Sequence, residues 1–309
     1  MSSSTKSFNP DRDIPDLSGK VILVTGGNAG LGKETVRHLV KHNPKAVFLA
    51  ARTRSKAEAA IEEIKRESPN ATIQFIELDV SSFESINAAV KTFHSRSDRL
   101  DVLINNAGIM NQPYSLTKDG LEIQMGTNHV GPALLTKLLM PTLLRTAESS
   151  DVRVVNLSSS AFQFTYFAGG PVLDTKSSKY WPTFVRYGST KLANMLHARG
   201  LAERYPQITA ASVHPGVIDT GLFDASRALF SKIPLIGGLL IKMVNSTLHP
   251  VDEGALNTLW AATAPKQEVR KGYYFVPVGS RHGGGFFSGK GQADKLWSWT
   301  ERELKKRGY

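Results

Sequence analysis

The sequence contains no cysteine among its 309 residues. This absence excludes disulfide bonds, thiolate nucleophiles and zinc sites with sulfur ligands. Long apolar runs are missing near the end of the sequence, where the longest uncharged apolar stretch, residues 233–241, falls short of the roughly 20 residues that span a bilayer. The first residues, MSSSTKSFNPDRD, lack the apolar segment of a secretory signal, so the sequence predicts a cytoplasmic protein.

The sequence contains fewer acidic than basic residues. It has 27 Asp and Glu residues and 38 Lys and Arg residues, which gives a net charge of +11. Such a balance is compatible with nucleic acid, an anionic membrane or a phosphorylated ligand, or with a solvated basic surface. No basic run exceeds Lys305-Lys306-Arg307, so we expect no nucleic-acid partner. The eight histidines show no ligand spacing, and we predict no metal site.

Short apolar runs alternate with longer helix-like stretches after residue 18. This alternation predicts an α/β protein: a three-layer Rossmann fold with a doubly wound, mostly parallel, seven-stranded sheet. Residues 1–17 are predicted to form a flexible arm and residues 18–309 a single domain, in which residues 221–250 form an apolar substrate lid. The predicted strands are 21–24, 46–49, 73–76, 102–104, 152–157, 210–213 and 274–276.

Helical spacing and breakers place the helices between these strands. A helix is expected over 32–43, a long one over 121–147 with Pro132 and Pro141 as kinks or ends, and another over 186–205. Ser81 is a predicted helix cap, because Glu84 follows three residues later.

A glycine-rich turn follows the first predicted strand and precedes a helix. Glycines at 26, 30 and 32 would let the backbone approach a pyrophosphate, and the helix N-terminus would supply free N–H groups. The alternative is a plain strand–helix turn. The residues predicted to bind a dinucleotide here are Gly26, Asn28, Gly30, Leu31 and Gly32.

The end of the second strand decides the expected coenzyme. NAD-binding folds normally carry Asp or Glu there, whereas this sequence reads Ala50-Ala51-Arg52. A guanidinium can bind a 2′-phosphate that a carboxylate would repel, so Arg52, with Lys33 as a second candidate, predicts NADP(H). The alternative for Arg52 is a solvated surface charge.

Tyr187 and Lys191 lie four residues apart within a predicted helix and therefore share a face. A free phenol, with a pKa of about 10, is a poor base at neutral pH. A neighbouring ammonium favours the phenolate and lowers that pKa. Tyr187 could then exchange the proton that accompanies hydride transfer.

Together these motifs resemble the short-chain dehydrogenase/reductase family over about residues 20–220. Within the family, the glycine turn, the Ala-Ala-Arg ending and Asn128-His129-Val130-Gly131 resemble the retinol-dehydrogenase and WW-domain-oxidoreductase branch, which mostly uses NADP(H). The segments that carry the resemblance are Thr25–Gly32, Leu78-Asp79-Val80, Asn105-Asn106-Ala107-Gly108, Asn128, Ser158-Ser159-Ser160, Tyr187 with Lys191, Pro215-Gly216 with Thr220, and Tyr273–Pro277.

The resemblance implies four catalytic roles. Tyr187 exchanges the proton, and Lys191 lowers the pKa of Tyr187 and holds the nicotinamide ribose. Ser159 stabilises the substrate oxygen, with Ser158 and Ser160 as neighbouring alternatives, and Asn128 holds a water that links Lys191 to solvent. The gap between Ser159 and Tyr187 is wider than usual in the family, and this insert, about 162–184, is expected to line the substrate entrance.

The resemblance also implies further coenzyme contacts. They are Asp79 near the adenine, Asn106 and Ala107 after the fourth strand, and Ile218 and Thr220 near the nicotinamide. A helix cap remains an alternative for Asp79, and a strand-end turn remains one for the asparagines.

The sequence thus predicts an NADP(H)-dependent oxidoreductase that acts on an apolar carbonyl or alcohol substrate. The alternative is a catalytically silent dinucleotide-binding regulatory protein. Peripheral membrane contact through 222–244 and homo-oligomer formation are further expectations.

Overall fold

A computed structural model of the chain describes residues 8–216, 218, 250–269 and 272–309. The predicted lid over 221–250 therefore lies almost wholly outside the described residues, as does Thr220. No helix in the described ranges is long and apolar enough to cross a membrane.

The centre of the fold is one sheet with the strand order β3-β2-β1-β4-β5-β6-β7-β8. Strands β1 to β7 are parallel, which confirms the predicted doubly wound α/β sheet. The strands are β1 Val21–Thr25, β2 Ala46–Ala51, β3 Ile73–Glu77, β4 Val102–Asn105, β5 Arg153–Leu157, β6 Thr209–Val213, β7 Tyr274–Val276 and β8 Ser280–His282.

The sheet of the described residues has eight strands, one more than predicted. β8 pairs antiparallel with β7 through Val276 and Ser280. It is short and polar, so it lacks the apolar run by which the other strands are recognised.

The helices cover both sheet faces. Within β1, Val21 and Leu23 join one apolar cluster, while Ile22 and Val24 join the other, because successive strand side chains point to opposite faces. The helices are α1 Pro10–Asp13, α2 Gly30–Leu39, α3 Arg54–Glu67, α4 Phe83–His94, α5 Ile123–Met125, α6 Gly131–Ala147, α7 Thr175–Ser178, α8 Thr183–Arg204, α9 Val251–Thr263 and α10 Lys290–Lys305.

The described part of the predicted flexible arm is ordered. Ile14 and Leu17 are buried in the same apolar cluster as Ile22, and the Leu17 N–H donates to the His42 carbonyl. Two apolar residues in a polar segment are too few for a sequence pattern, so the prediction of a flexible arm is wrong for residues 8–17.

The predicted long helix over 121–147 is interrupted. A π-helical turn, Gly126–Val130, separates α5 from α6, whereas Pro141 lies inside α6 without ending it. The cap of α4 is Ser82 rather than Ser81, since the Ser82 hydroxyl accepts from the Ser85 N–H.

Candidate active site

A cavity of about 880 Å³ opens at the carboxyl ends of the central strands. β1 and β4 are neighbours in the sheet although β2 and β3 lie on the other side of β1. Ligands of doubly wound sheets bind at such a reversal of strand order. The lining residues include Gly26, Asn28, Gly30, Leu31, Arg52, Asp79, Asn106, Ala107, Ser159, Tyr187, Lys191 and Ile218.

The glycine turn forms a cradle that side chains would fill. Gly26 has a φ of +66°, and a Cβ on Gly32 would lie 2.3 Å from the Gly26 carbonyl oxygen. The N-cap of α2, Ala29, provides no side-chain acceptor for the first N–H groups of the helix. These N–H groups and the partial positive charge of the helix end fit a pyrophosphate.

The far end of the cavity is basic. Arg52 and Lys56 line it, and none of the ion pairs within the described ranges involves either residue. Lys33 does not line the cavity, because its Nζ lies 2.7 Å from the Glu63 carboxylate on α3. The structure therefore brings Arg52 to the cavity but turns Lys33 away from it.

Two predicted contacts near the strand ends line the cavity and also stabilise their own turns. Asp79 Oδ1 accepts from the Ser81 N–H at 2.9 Å and from its hydroxyl at 2.6 Å. Asn106 Nδ2 donates to the Thr25 carbonyl at 2.8 Å, which joins the ends of β1 and β4.

Tyr187, Lys191 and Ser159 meet at the other end of the cavity. The Ser159 side chain lies close enough to the Tyr187 hydroxyl to lower its pKa, and Lys191 Nζ lies 5.4 Å from the centroid of the Tyr187 ring. Lys191 Nζ also donates to the Leu157 carbonyl at 3.2 Å. Ser158 instead donates to the Lys191 carbonyl at 2.7 Å, so Ser159 is the serine beside the phenol.

Burial acts on this pair in opposite directions. It raises the pKa of Tyr187, an effect that the hydrogen bond with Ser159 opposes. It lowers the pKa of Lys191 to about 8, because the charged ammonium loses hydration. Burial also lowers the pKa of the nearby His214 to about 4, with a further contribution from the charge of Lys191. The resting site thus holds a neutral phenol and a neutral imidazole beside a weakly acidic ammonium.

Asn128 lies in the π-helical turn behind the cavity wall. Its Oδ1 accepts from the Ile109 N–H at 2.8 Å, and its Nδ2 donates to the Ile109 carbonyl and to the Thr190 hydroxyl. Asn128 therefore connects the loop after β4 to α8. Its predicted role in holding a water stays a prediction.

Aromatic side chains form the mouth of the cavity. Phe164 and Phe184 both line it, are 41% and 42% exposed, and pack edge to face at 5.1 Å. Both belong to the insert that was expected to line the substrate entrance.

The short chain dehydrogenase family model matches residues 20–229. The chain belongs to the short-chain dehydrogenase/reductase family. Its members include a short-chain dehydrogenase/reductase of Aspergillus calidoustus, drtF, which is 37% identical over 95% of this chain and 96% of its own length. Retinol dehydrogenase 12 of Mus musculus is 36% identical over 91% of this chain and 85% of its own length.

The fold of this short-chain dehydrogenase/reductase is also that of known structures. Gluconate 5-dehydrogenase of Burkholderia cenocepacia, solved with NADP and tartrate, superimposes with a TM-score of 0.64. The match covers 85% of this chain and 95% of the other at 22% identity, and so supports the fold alone.

Sequence reasoning missed two residues of this region, Lys56 and Asn194. Lys56 lines the cavity. Asn194 Nδ2 donates at 2.9 Å to the carbonyl of Leu157, to which Lys191 also donates. Lys191 and Asn194 are three residues apart and therefore lie on one helix face. This spacing was the sequence signal by which Asn194 could have been found. The signal for Lys56 was its place four residues after Arg52, in the first turn of α3.

Proposed function

We propose that the chain is an NADP(H)-dependent oxidoreductase that interconverts an apolar carbonyl compound and its alcohol. The observation that carries this proposal is that Tyr187, Lys191 and Ser159 line the same cavity as the glycine turn. Family membership supports an oxidoreductase, while the coenzyme, the substrate and the residue roles are our inference.

The nicotinamide coenzyme, when bound, supplies or accepts the hydride. Tyr187 gives its proton to the substrate oxygen in reduction and takes it back in oxidation. Ser159 donates a hydrogen bond to the same oxygen as it gains negative charge. The ammonium of Lys191 favours the phenolate form of Tyr187, and Asn128 keeps the Ile109 loop against α8.

The preference for NADP(H) rests on the basic end of the cavity. Arg52 and Lys56 offer two cations to a 2′-phosphate, and the second strand ends without a carboxylate.

The apolar substrate class rests on the aromatic mouth. Met110, Phe164 and Phe184 line the same cavity as Tyr187, and such walls bind apolar ligands by excluding water. Similarity to a retinol dehydrogenase supports the same class.

Tyr187→Phe tests catalysis. We expect kcat to fall about 10²- to 10⁴-fold, since the proton donor is lost, while NADPH still binds. Tyr205→Phe, at the end of α8, is the matched control and should keep its activity. Coenzyme oxidation against a carbonyl library measures turnover. Wild-type protein that binds NADPH without turnover would instead support the silent regulatory alternative.

Arg52→Gln tests the coenzyme. We expect the ratio of NADPH to NADH affinity to fall about 10- to 100-fold, because a charge-assisted contact to the 2′-phosphate is lost. Arg54→Gln is the control, as Arg54 is held by Glu58 and Glu77. Fluorescence titration measures both affinities, and an unchanged ratio in Arg52→Gln would contradict the proposal.

Membrane contact through 222–244 and homo-oligomer formation stay predictions. Salt-sensitive sedimentation with anionic vesicles tests the first, and light scattering tests the second.

A further inference from the structure

We propose that Asn194 is a positioning residue. By donating a hydrogen bond to the Leu157 carbonyl, it allows Lys191 to leave that carbonyl and bind the coenzyme. This inference rests on the proposed function, since it assumes that Lys191 binds the nicotinamide ribose. Asn194 itself need not touch the coenzyme or the substrate.

The carbonyl oxygen of Leu157 has two side-chain donors. Asn194 Nδ2 lies 2.9 Å from it and Lys191 Nζ lies 3.2 Å from it. All three residues are buried, with 5–6% of their surfaces exposed. Water therefore cannot readily replace either donor.

Two further hydrogen bonds fix the helix against the strand. Asn156 Nδ2 donates to the Asn194 carbonyl at 3.2 Å, and Ser158 Oγ donates to the Lys191 carbonyl at 2.7 Å. Side chains of the β5 end thus hold main-chain atoms of α8, while Asn194 of α8 holds a main-chain atom of β5. The Asn194 amide consequently stays on the Leu157 carbonyl when the flexible Lys191 side chain moves.

The arrangement determines how freely Lys191 can move. A buried carbonyl without any donor is destabilising, so a lysine that is its only donor resists leaving it. With Asn194 in place, the Leu157 carbonyl keeps one donor when Lys191 turns towards a ribose. Without Asn194, binding the coenzyme would leave the carbonyl unsatisfied.

Asn194→Leu removes the amide donor and keeps the branched shape. We expect NADPH affinity, measured by fluorescence titration, to fall about 5- to 100-fold, equivalent to about 1–3 kcal/mol. The KM for NADPH should rise, while kcat at saturating NADPH changes much less, because the chemistry of Tyr187 and Ser159 is intact. Asn87→Leu is the matched control: the Asn87 amide also donates to a main-chain carbonyl, that of Phe83, but on α4.

A double-mutant cycle separates positioning from a merely structural role. In a Lys191→Met background no ammonium has to leave the carbonyl, so adding Asn194→Leu should weaken NADPH binding less than twofold. An equal loss in both backgrounds would mean that Asn194 only supports the structure, and it would overturn the inference.

Asn194→Asp is the second test variant, to be used if Asn194→Leu does not fold. Its carboxylate keeps the shape of the amide but offers an acceptor, and it should hold Lys191 and weaken NADPH binding at least as much. Wild-type protein that binds neither NADPH nor NADH would overturn the proposed function and this inference with it. Wild-type binding with unchanged affinity in Asn194→Leu and Asn194→Asp would overturn this inference alone.

Discussion

At the residue scale, the candidate site depends on burial more than on formal charge. The environment that makes the phenol of Tyr187 less acidic also makes the ammonium of Lys191 more acidic. With the pKa of Lys191 at about 8, most of the lysine is still charged at neutral pH. In the function proposed above, the lysine therefore favours the phenolate near pH 7 and loses this ability in mildly alkaline solution.

The pKa of Lys191, about 8, predicts how kcat/KM for NADPH changes with pH. The kcat/KM of reduction should be constant below about pH 8 and fall above it, because free-enzyme groups set this parameter and Lys191 loses its proton there. Lys191→Arg stays charged throughout, so it should be less active but show no decline near pH 8. Initial rates between pH 6 and 9.5 measure both profiles. A decline at the same pH in Lys191→Arg would assign it to another group.

The sequence predicted single residues where spacing or neighbours restrict the choice. Tyr187 and Lys191 share a helix face at any helix orientation, so their proximity was predictable. Ser158 and Ser159 are chemically alike, and only the direction of the backbone after β5 brings Ser159 to Tyr187. The placement of Lys33 depends on Glu63, a partner 30 residues away that no local pattern reveals.

At the element scale, parallel strands were predictable because each is an apolar run buried on both faces. The π-helical turn was not, since it depends on where α6 meets the end of β3. A Cβ on Gly131 would lie 1.9 Å from the Val80 carbonyl, so only a glycine fits at the start of α6. This turn carries Asn128, and its position is thus fixed by packing rather than by helix propensity.

A buried ion pair joins the start of α5, which precedes that turn, to α8. Arg186 and Glu122 are 5% and 2% exposed, their charged atoms lie 2.5 Å apart, and Glu122 also accepts from the Met125 N–H. Glu122→Leu should lower the free energy of unfolding by about 3–5 kcal/mol, because it leaves an unpaired buried guanidinium. Urea denaturation measures this loss.

The surface pair of Lys137 and Glu301 provides the control for this prediction. Both residues are about 40% exposed, and Lys137→Met should change stability by less than about 1 kcal/mol. Adding Arg186→Met to Glu122→Leu should recover much of the loss, since no unpaired charge remains. If Glu122→Leu lowered the free energy of unfolding no more than Lys137→Met does, the proposed importance of the buried Arg186–Glu122 ion pair would be contradicted.

At the scale of the whole molecule, the end of the chain closes the side of α8 opposite the cavity. Helix α10 places Thr300 at 2.9 Å from His129 Nε2 and stacks Trp297 on His197. The two histidine rings lie 5.6 Å apart in a buried layer between the π-helical turn, α8 and α10. Helix α8 is therefore supported by residues about 100 positions further along the chain.

This layer makes stability depend on pH. Burial lowers the pKa of His129 to about 3 and that of His197 to about 4, whereas both titrate near 6.5 when unfolded. Below pH 6.5 the unfolded chain therefore binds more protons, so stability is complete above that pH and decreases progressively towards pH 4. At pH 5.5 the two histidines together should lower the free energy of unfolding by about 3 kcal/mol. A typical domain has a total free energy of unfolding of about 5–15 kcal/mol.

His197→Gln tests this dependence, because it removes one of the two buried imidazoles and keeps a polar partner for Asn156. The free energy of unfolding, measured by urea denaturation at pH 7.5, 6.5 and 5.5, should decrease about two thirds as steeply with falling pH as in the wild type, because the pKa values of His129 and His214 are still lowered by burial. His282→Gln changes an exposed histidine and should leave the slope unchanged. An equally steep decrease in His197→Gln would show that acid destabilises the protein through other groups, and that the histidine layer can take up protons without unfolding.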